Sequence, residues 1–316
     1  MALFGPHVNR DWCRRGAPLD AHVGEALRAA REEGFRAGAA AVFVSNPRRC
    51  ELTLTPAEAE GLRRHAAAGT ALVAHSTYAA APWGADAGAR RAFIRREQQA
   101  CADAGIGALV VHLPSAPPAA VCAGAADLLN AATPGVRLFL ETPAVAPASS
   151  CYESPEKLAA LFDALRRVDP ELGRFGLCLD TAHLWTNGVD LSGRAEAEAF
   201  LAGLERAGPR LPPLMLHVND SLRERGRGPD AHAPLLSGKM WARWAGAPEH
   251  SGLAAFVAFA ERRELVAILE RGDHAGLSAD YRALGLLGAG RPAAAGAGGG
   301  GGAGAAGGGA GGAGAL

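Results

Sequence analysis

His75, His112, Glu141, Asp180, His217 and Glu270 each close a short apolar run. The runs are Val73-Ala-His75, Leu109-Val-Val-His112, Leu138-Phe-Leu-Glu141, Phe175-Gly-Leu-Cys-Leu-Asp180, Leu214-Met-Leu-His217 and Val266-Ala-Ile-Leu-Glu270. Imidazole and carboxylate are the side chains that ligate zinc and similar divalent ions. One strand ending in such a residue is ordinary. A strand-end carboxylate most often caps a helix or pairs with a cation, and a lone histidine is most often a hydrogen-bonded core residue. Six runs ending alike share one geometric explanation: a ring of ligands at one mouth of a parallel barrel. His183, in Asp180-Thr-Ala-His183, and the pair Asp230 and His232, in Asp230-Ala-His232, add three candidates in the segments that follow. Nine ligands exceed what one ion uses at about four each, and suit two or three. A carboxylate bridging two ions is the usual way to trap a shared hydroxide. No thiolate is among the candidates, which argues for a catalytic site of hard or borderline ions over a structural zinc knuckle. His7 ends the first run and takes a structural or supporting role. His22, His65, His250 and His274 fall outside the pattern.

Ligands at strand ends need strands in the right order. Eight runs read as strands: 3–8, 40–45, 71–75, 108–112, 136–141, 175–180, 214–218 and 265–270. Segments 21–36, 56–68, 87–104, 119–132, 155–168, 194–207 and 252–262 between them read as helices. Thr55-Pro-Ala-Glu58 has the form of a capping box, and Ser154-Pro155 that of an N-cap followed by proline at the first helical position. Strand runs that are apolar on both faces fit parallel strands covered by helices. The repeated alternation predicts an α/β fold, a (β/α)8 TIM barrel, over an open sheet. In such barrels chemistry collects at the carboxyl ends of the strands, where all nine candidates lie.

The chain has 316 residues, 49% hydrophobic and 20% charged, enough for a sizeable core. From about Gly288 the sequence reduces to glycine and alanine with almost no charge, a composition that cannot offset its own ordering entropy. The expected organisation is therefore one barrel over residues 1–287 and a disordered Gly/Ala-rich tail over 288–316. Lys+Arg and Asp+Glu are equal at 32 each, so net charge offers no argument for nucleic acid and does not exclude it. Only Lys157 and Lys239 are lysines, a skew that reads as the mutational bias of a GC-rich genome more than as phosphate binding. Six scattered cysteines form no C-x-x-C pair, and most read as small buried hydrophobes. No secretory signal opens the chain and no apolar run reaches membrane-spanning length, so a soluble intracellular protein is expected, without choosing among nucleus, cytoplasm and virion.

Taken together, Asp180-Thr-Ala-His183, His217-Val-Asn-Asp-Ser221 and Asp230-Ala-His232, with His75, His112, Glu141 and Glu270, resemble the endonuclease IV family of apurinic/apyrimidinic (AP) endonucleases. The likeness runs from Gly5-Pro-His-Val8 to Glu270 and matches nine metal-ligand positions in order. It implies a monomeric trinuclear zinc enzyme of base excision repair, with manganese as an alternative occupant. Its substrate would be double-stranded DNA, cut on the 5′ side of an abasic site to leave a 3′-OH and a 5′-deoxyribose phosphate, with a 3′-phosphodiesterase side activity. Carried over, His75, His112 and Glu141 hold the first ion. Glu141 bridges to a second, completed by Asp180, His217 and Glu270; His183, Asp230 and His232 hold the third. Glu141 and Glu270 are the catalytic carboxylates around a bridging hydroxide. Arg48, in Asn46-Pro-Arg48, and Tyr78, in His75-Ser-Thr-Tyr78, match the arginine and tyrosine that contact DNA. The chain departs from the family at Ala79, where a bulkier apolar residue is expected, which implies either a weaker wedge or one supplied by Trp83. It departs also in Thr142-Pro-Ala-Val145, in His112-Leu-Pro114 and at Ala231. None of these departures removes a ligand.

Two other readings compete. A sugar isomerase or epimerase on a related barrel would use one or two divalent ions and leave His183, Asp230 and His232 without a role. A DNA-damage binding protein that had lost turnover would keep the fold but have no need of intact ligands. Fold alone does not choose among these, whereas the ligand set favours the nuclease.

Overall fold

A computed structural model describes residues 1–10, 16–84, 86–129, 133–144, 149, 151–271 and 273–290. Its centre is a closed parallel barrel of eight strands: β1 (Leu3–Val8), β2 (Ala39–Phe43), β3 (Ala71–His75), β4 (Ala108–His112), β5 (Arg137–Glu141), β6 (Phe175–Asp180), β7 (Leu214–His217) and β10 (Val266–Leu269). Each is hydrogen-bonded to its neighbours in chain order, and β10 closes the ring onto β1. Helices α1 (Leu19–Glu32), α2 (Pro56–Ala67), α3 (Gly88–Asp103), α4 (Pro118–Leu129), α5 (Pro155–Leu165), α7 (Arg194–Ala207) and α8 (Gly252–Arg263) surround it. The predicted end of α4, residues 130–132, lies outside the described residues, as does the Gly/Ala segment 291–316.

Because side chains alternate along a strand, each one feeds two cores. Ala40, Val42, Leu72, Ala74, Leu109, Val111, Leu138 and Leu140 point outward and pack under the helices. The opposite parity fills the barrel interior with Ala39, Ala41, Val73, Ala108, Val110, Phe139, Cys178, Met215 and Ile268. Phe139 fits there because Gly176 faces it on the next strand; a Cβ at Gly176 would sit 2.4 Å from the phenyl ring. The next residue of inward parity on each strand is the important one. Val73 leads to His75, Val110 to His112, Phe139 to Glu141, Cys178 to Asp180, Met215 to His217 and Ile268 to Glu270. The apolar plug is thus the floor on which the candidate ligands stand.

The helix ends follow local chemistry. Thr55 and Glu58 form the reciprocal capping box, and Ser154 caps α5 ahead of Pro155. Helix α1 stops at Glu32, before the predicted Arg36, because Gly34 adopts φ +72° and the chain reverses there. Besides short 3-10 turns, four elements among the described residues add to the predicted pattern. These are the short helix α6 (Thr181–Thr186), a two-stranded antiparallel pair β8 (Asp220–Ser221) and β9 (His232–Ala233), and the helix α9 (His274–Leu286). Packed chain continues past the predicted boundary at 287: Ala289 is buried, and the Gly290 carbonyl accepts the Arg36 N–H at 2.8 Å. No helix among the described residues is long and apolar enough to cross a membrane.

Candidate metal centre

Nine side chains from six strand ends and two following segments converge on one mouth of the barrel. Glu141 is at the middle, fully buried at the end of β5. Its Oε2 lies 3.1 Å from Nε2 of His75 and 2.9 Å from Nε2 of His112, and its Oε1 lies 2.9 Å from Nδ1 of His217 and 3.5 Å from Nδ1 of His183. Strand pairing explains these neighbours, since His112 is in register with Glu141, and Asp180 with His217. Asp180 has two tasks. Its Oδ1 accepts the His183 N–H at 2.8 Å and so caps α6, which turns His183 back over the mouth. Its Oδ2 remains on the ligand side, 3.8 Å from Nε2 of His232. The β8–β9 pair, with Ser221 opposite His232, carries His232 inward. Asp230, two residues earlier, lies 3.0 Å from His232 Nε2 and 3.5 Å from His183 Nε2.

Ligand-capable atoms cluster within 4.8 Å of one another in overlapping groups: His75, His112 and Glu141; Glu141, Asp180, His217 and Glu270; and Asp180, His183 and His232. Glu141 belongs to the first two groups and Asp180 to the last two, so the carboxylates are shared as bridging ligands are. The donor set also fits cations electrostatically. Three carboxylates, Glu141, Asp180 and Glu270, occupy one group largely shielded from water, a concentration of negative charge that favours bound cations. Several ring nitrogens are already fixed by second partners. His75 directs Nδ1 to the Ser76 carbonyl at 2.7 Å, and His183 directs Nδ1 to the Thr142 carbonyl at 2.7 Å. Each bond leaves Nε2 as the free lone pair, the tautomer a metal needs. Thr142 is one of the departures from the family pattern, and it further accepts the Asp180 N–H through its hydroxyl.

Protonation follows from burial and charge together. Burial alone would push Glu141 up, but His112 and His217 hold it well below the ordinary carboxylate range. Glu270 behaves alike: burial is outweighed by His217 and His7. Asp180 moves the other way, raised by burial and by the Glu270 and Glu141 charges despite His183 and His232. Burial opposes charge on the histidines, yet the carboxylates win: Glu141 raises His75, and Asp180 and Asp230 raise His183 and His232.

A fourth group adds Cys178 to Glu141 and His217. The side chain was expected to be a buried hydrophobe, and burial pushes its thiol up to about 12, so no thiolate is presented. Cys101 is likewise buried, Cys122 and Cys151 are half-buried and Cys50 is exposed. Two residues gain a larger part than their sequence context suggests. His7 donates from Nδ1 to Glu270 Oε1 at 3.1 Å, and it has the same inward parity as Gly5 and Leu3. Asn219, buried and of the same parity as Met215 and His217, donates to Asp180 at 2.6 Å and to Glu270 at 3.0 Å.

Arg48 and Tyr78 sit beside the centre on two joined loops. The Tyr78 N–H donates to the Pro47 carbonyl at 2.9 Å, and both residues are exposed. Buried Glu97 of α3 ties the loops from behind, accepting the Ser45 hydroxyl, the Ser76 hydroxyl at 2.5 Å and the Thr77 N–H at 3.2 Å. Arg48 and Tyr78 line a cavity of about 700 Å³ together with Arg10, Asn46 and Arg49. A smaller cleft of about 180 Å³, reaching His7, Asp230, His232 and Glu270, shares Asn9, Phe43 and Tyr78 with it. A third cleft, near Gly107, Arg137 and Gly173, lies at the opposite end of the barrel and has no candidate ligand. Trp83 does not serve as a wedge. It is 5% exposed, and its indole N–H donates to the His112 carbonyl at 2.6 Å, bracing that strand end.

Residues 27–266 match the family model described as "Xylose isomerase-like TIM barrel". A "Probable AP endonuclease" of African swine fever virus is 34% identical over 276 residues, covering 85% of this chain and 92% of the relative. The AsfvAP:AG crystal structure superposes with a TM-score of 0.84 at 30% identity, covering 90% of this chain and 99% of that one. Endonuclease IV from Thermus thermophilus superposes with a TM-score of 0.67 at 28% identity, over 90% of this chain and 99% of that one.

Proposed function

The chain belongs to the endonuclease IV family of AP endonucleases, within the xylose isomerase-like TIM barrels, and from that premise we propose that it is a zinc enzyme of base excision repair. It is a nuclease, a hydrolase acting on DNA. The reaction proposed is hydrolysis of the phosphodiester 5′ to an abasic site in duplex DNA, leaving a 3′-OH and a 5′-deoxyribose phosphate, with 3′-phosphodiesterase activity from the same site.

The observation that carries this reading is the overlap of the ligand groups at Glu141 and Asp180. Three zinc ions would be held in turn by His75, His112 and Glu141; by Glu141, Asp180, His217 and Glu270; and by His183, Asp230 and His232. Bound there, zinc supplies Lewis acidity toward the phosphodiester and an activated water at neutral pH. The protein's own part is to keep Glu141 and Glu270 ionised, to fix the histidine tautomers through Ser76 and Thr142, and to seat the array on a dry apolar floor. Arg48 and Tyr78 present a cation and a ring next to the mouth, suited to a backbone phosphate and to the gap in a stack that lacks a base. An abasic nucleotide costs less to extrude than an intact one, so selection for damage follows from the missing stack.

A sugar isomerase would leave His183, Asp230 and His232 unused, although they are within 3.5 Å of one another through Asp230. Metal analysis of the purified full chain decides between the two. Three zinc ions per chain are expected; one or two manganese or magnesium ions with turnover of a ketose would install the isomerase instead.

A further inference from the structure

Asp280 lies on α9 and is fully buried. Its carboxylate faces two ways. Oδ1 accepts the Leu235 N–H at 2.6 Å, two residues beyond the strand that carries His232. Oδ2 lies 2.9 Å from Nε of Arg271, a residue 5% exposed and next in sequence to Glu270. Arg271 Nη2 in turn donates to Oδ1 of Asn219 at 3.1 Å, where the Glu270 backbone N–H also donates at 3.0 Å.

The consequence concerns the Asn219 amide. An asparagine side chain has an acceptor end and a donor end that differ little in shape. Two donors converging on Oδ1 hold it one way round, so the NH2 group faces Asp180 Oδ2 and Glu270 Oε2. The reversed amide would turn its oxygen on two carboxylates and its hydrogens on two donors. We propose that Arg271 and Asp280 form a positioning strut, in which α9 orients Asn219 and thereby aims the Asp180 and Glu270 carboxylates at their ions. This rests on the metal centre proposed above. A buried ion pair contributes little net stability once desolvation is counted, so its value here lies in orientation. The strut also ties the two segments that bring Glu270 and His232 to the mouth, because both converge on the same Asp280 carboxylate. Among the described residues the Asn219 side chain hydrogen-bonds to Asp180, Glu270 and Arg271, and not to His75, His112 or Glu141 of the first ligand group.

Two variants separate orientation from packing. Arg271→Met with Asp280→Asn removes both charges, keeps similar volume and leaves an amide oxygen for the Leu235 N–H, so the fold should survive. Arg271→Lys keeps a cation for Asp280 but loses the planar fork that reaches Asn219 at the same time. Zinc-loaded full chain is challenged with a competing chelator, and the zinc-stripped proteins are melted in parallel. Both variants are expected to release part of their zinc at about 10-fold to 100-fold lower chelator concentration. The ion of the first group should be retained, and the zinc-stripped melting temperature of the lysine variant should be close to that of the parent. If the double variant does not fold, the lysine variant decides alone. Unchanged zinc retention in a folded variant, beside a parent that holds zinc, overturns the strut. A parent that holds no zinc overturns the metal centre, and the strut with it.

Discussion

Replacing Glu141 by glutamine removes one negative charge and almost no volume, which makes it the cleanest perturbation of the centre. The side chain is fully buried and lies 2.9–3.1 Å from ring nitrogens of His75, His112 and His217. No cavity is created, so the barrel should keep its circular dichroism spectrum. What changes is the charge shared by two ligand groups. An ion loses an anionic bridging ligand for a neutral, weakly ligating amide. Charge stabilisation by a metal cluster amounts to several kcal/mol; if about 4 kcal/mol of it depends on the bridge, the rate falls about 10³-fold. Single-turnover incision of a duplex with one abasic analogue reads the rate, and elemental analysis reads the zinc. The expected result is a loss of about three orders of magnitude together with at least one ion fewer than the parent. Full cleavage at parental zinc content would refute the bridging role. Loss of the folded spectrum would show instead that Glu141 is needed for packing.

The other predictions concern DNA, pH and the tail. Arg48→Ala and Tyr78→Ala should weaken binding to abasic duplex and leave zinc content unchanged; equal affinities in a fluorescence anisotropy titration would remove both from the interface. For the zinc-free chain, His75, His183, His217 and His232 are raised above 6.5, so their contribution to stability is present below that pH and declines as pH rises through the raised values. Asp180, also raised, loses its contribution as pH rises above 3.8, while Glu141 and Glu270, lowered from 4.5, lose theirs only as pH falls through their depressed values. Thermal stability without zinc should therefore fall as pH rises above about 6.5, where the raised histidines lose their protons. Zinc affinity should instead rise with pH, since ligation needs neutral imidazole; a zinc-free melting temperature that climbs from pH 6.5 to 8 would contradict the charge assignment. Removing residues 291–316, which keeps the Gly290 carbonyl for Arg36, should leave incision unchanged, and a large loss would give the Gly/Ala segment a role.

Much of the barrel and the mouth was legible because both rest on one period. Alternation along a parallel strand sets which residue faces inward, and the last inward position of six strands is a ligand type. The same parity marks His7, through Leu3 and Gly5, and Asn219, through Met215 and His217. His7 is placed at the end of its run on that basis, and Asn219 could have been found by extending the alternation rather than by looking for ligand residues alone. Helix α6 was hidden because six residues are too few to show a period and its cap is also a candidate ligand. The β8–β9 pair rests on backbone bonds between residues nine or more apart, which no local pattern encodes. Helix α9 did leave a signal: Asp273 before it, with Leu277, Tyr281 and Leu284 buried along one face. Its position next to the Gly/Ala segment masked that signal. Of the two alternatives that Ala79 leaves, a weaker wedge or one supplied by Trp83, the second fails. A carbonyl within reach, that of His112, turned the indole inward.

The central claim is that the nine side chains make a zinc nuclease specific for abasic DNA. Purified full-length protein, with and without chelator, is incubated with a duplex carrying one tetrahydrofuran abasic analogue and with the undamaged duplex. The account predicts incision on the 5′ side of the lesion, abolished by the chelator and restored by zinc, with the undamaged duplex left whole. A zinc-replete protein that leaves the lesion uncut, or that cuts equally well in chelator, would contradict it.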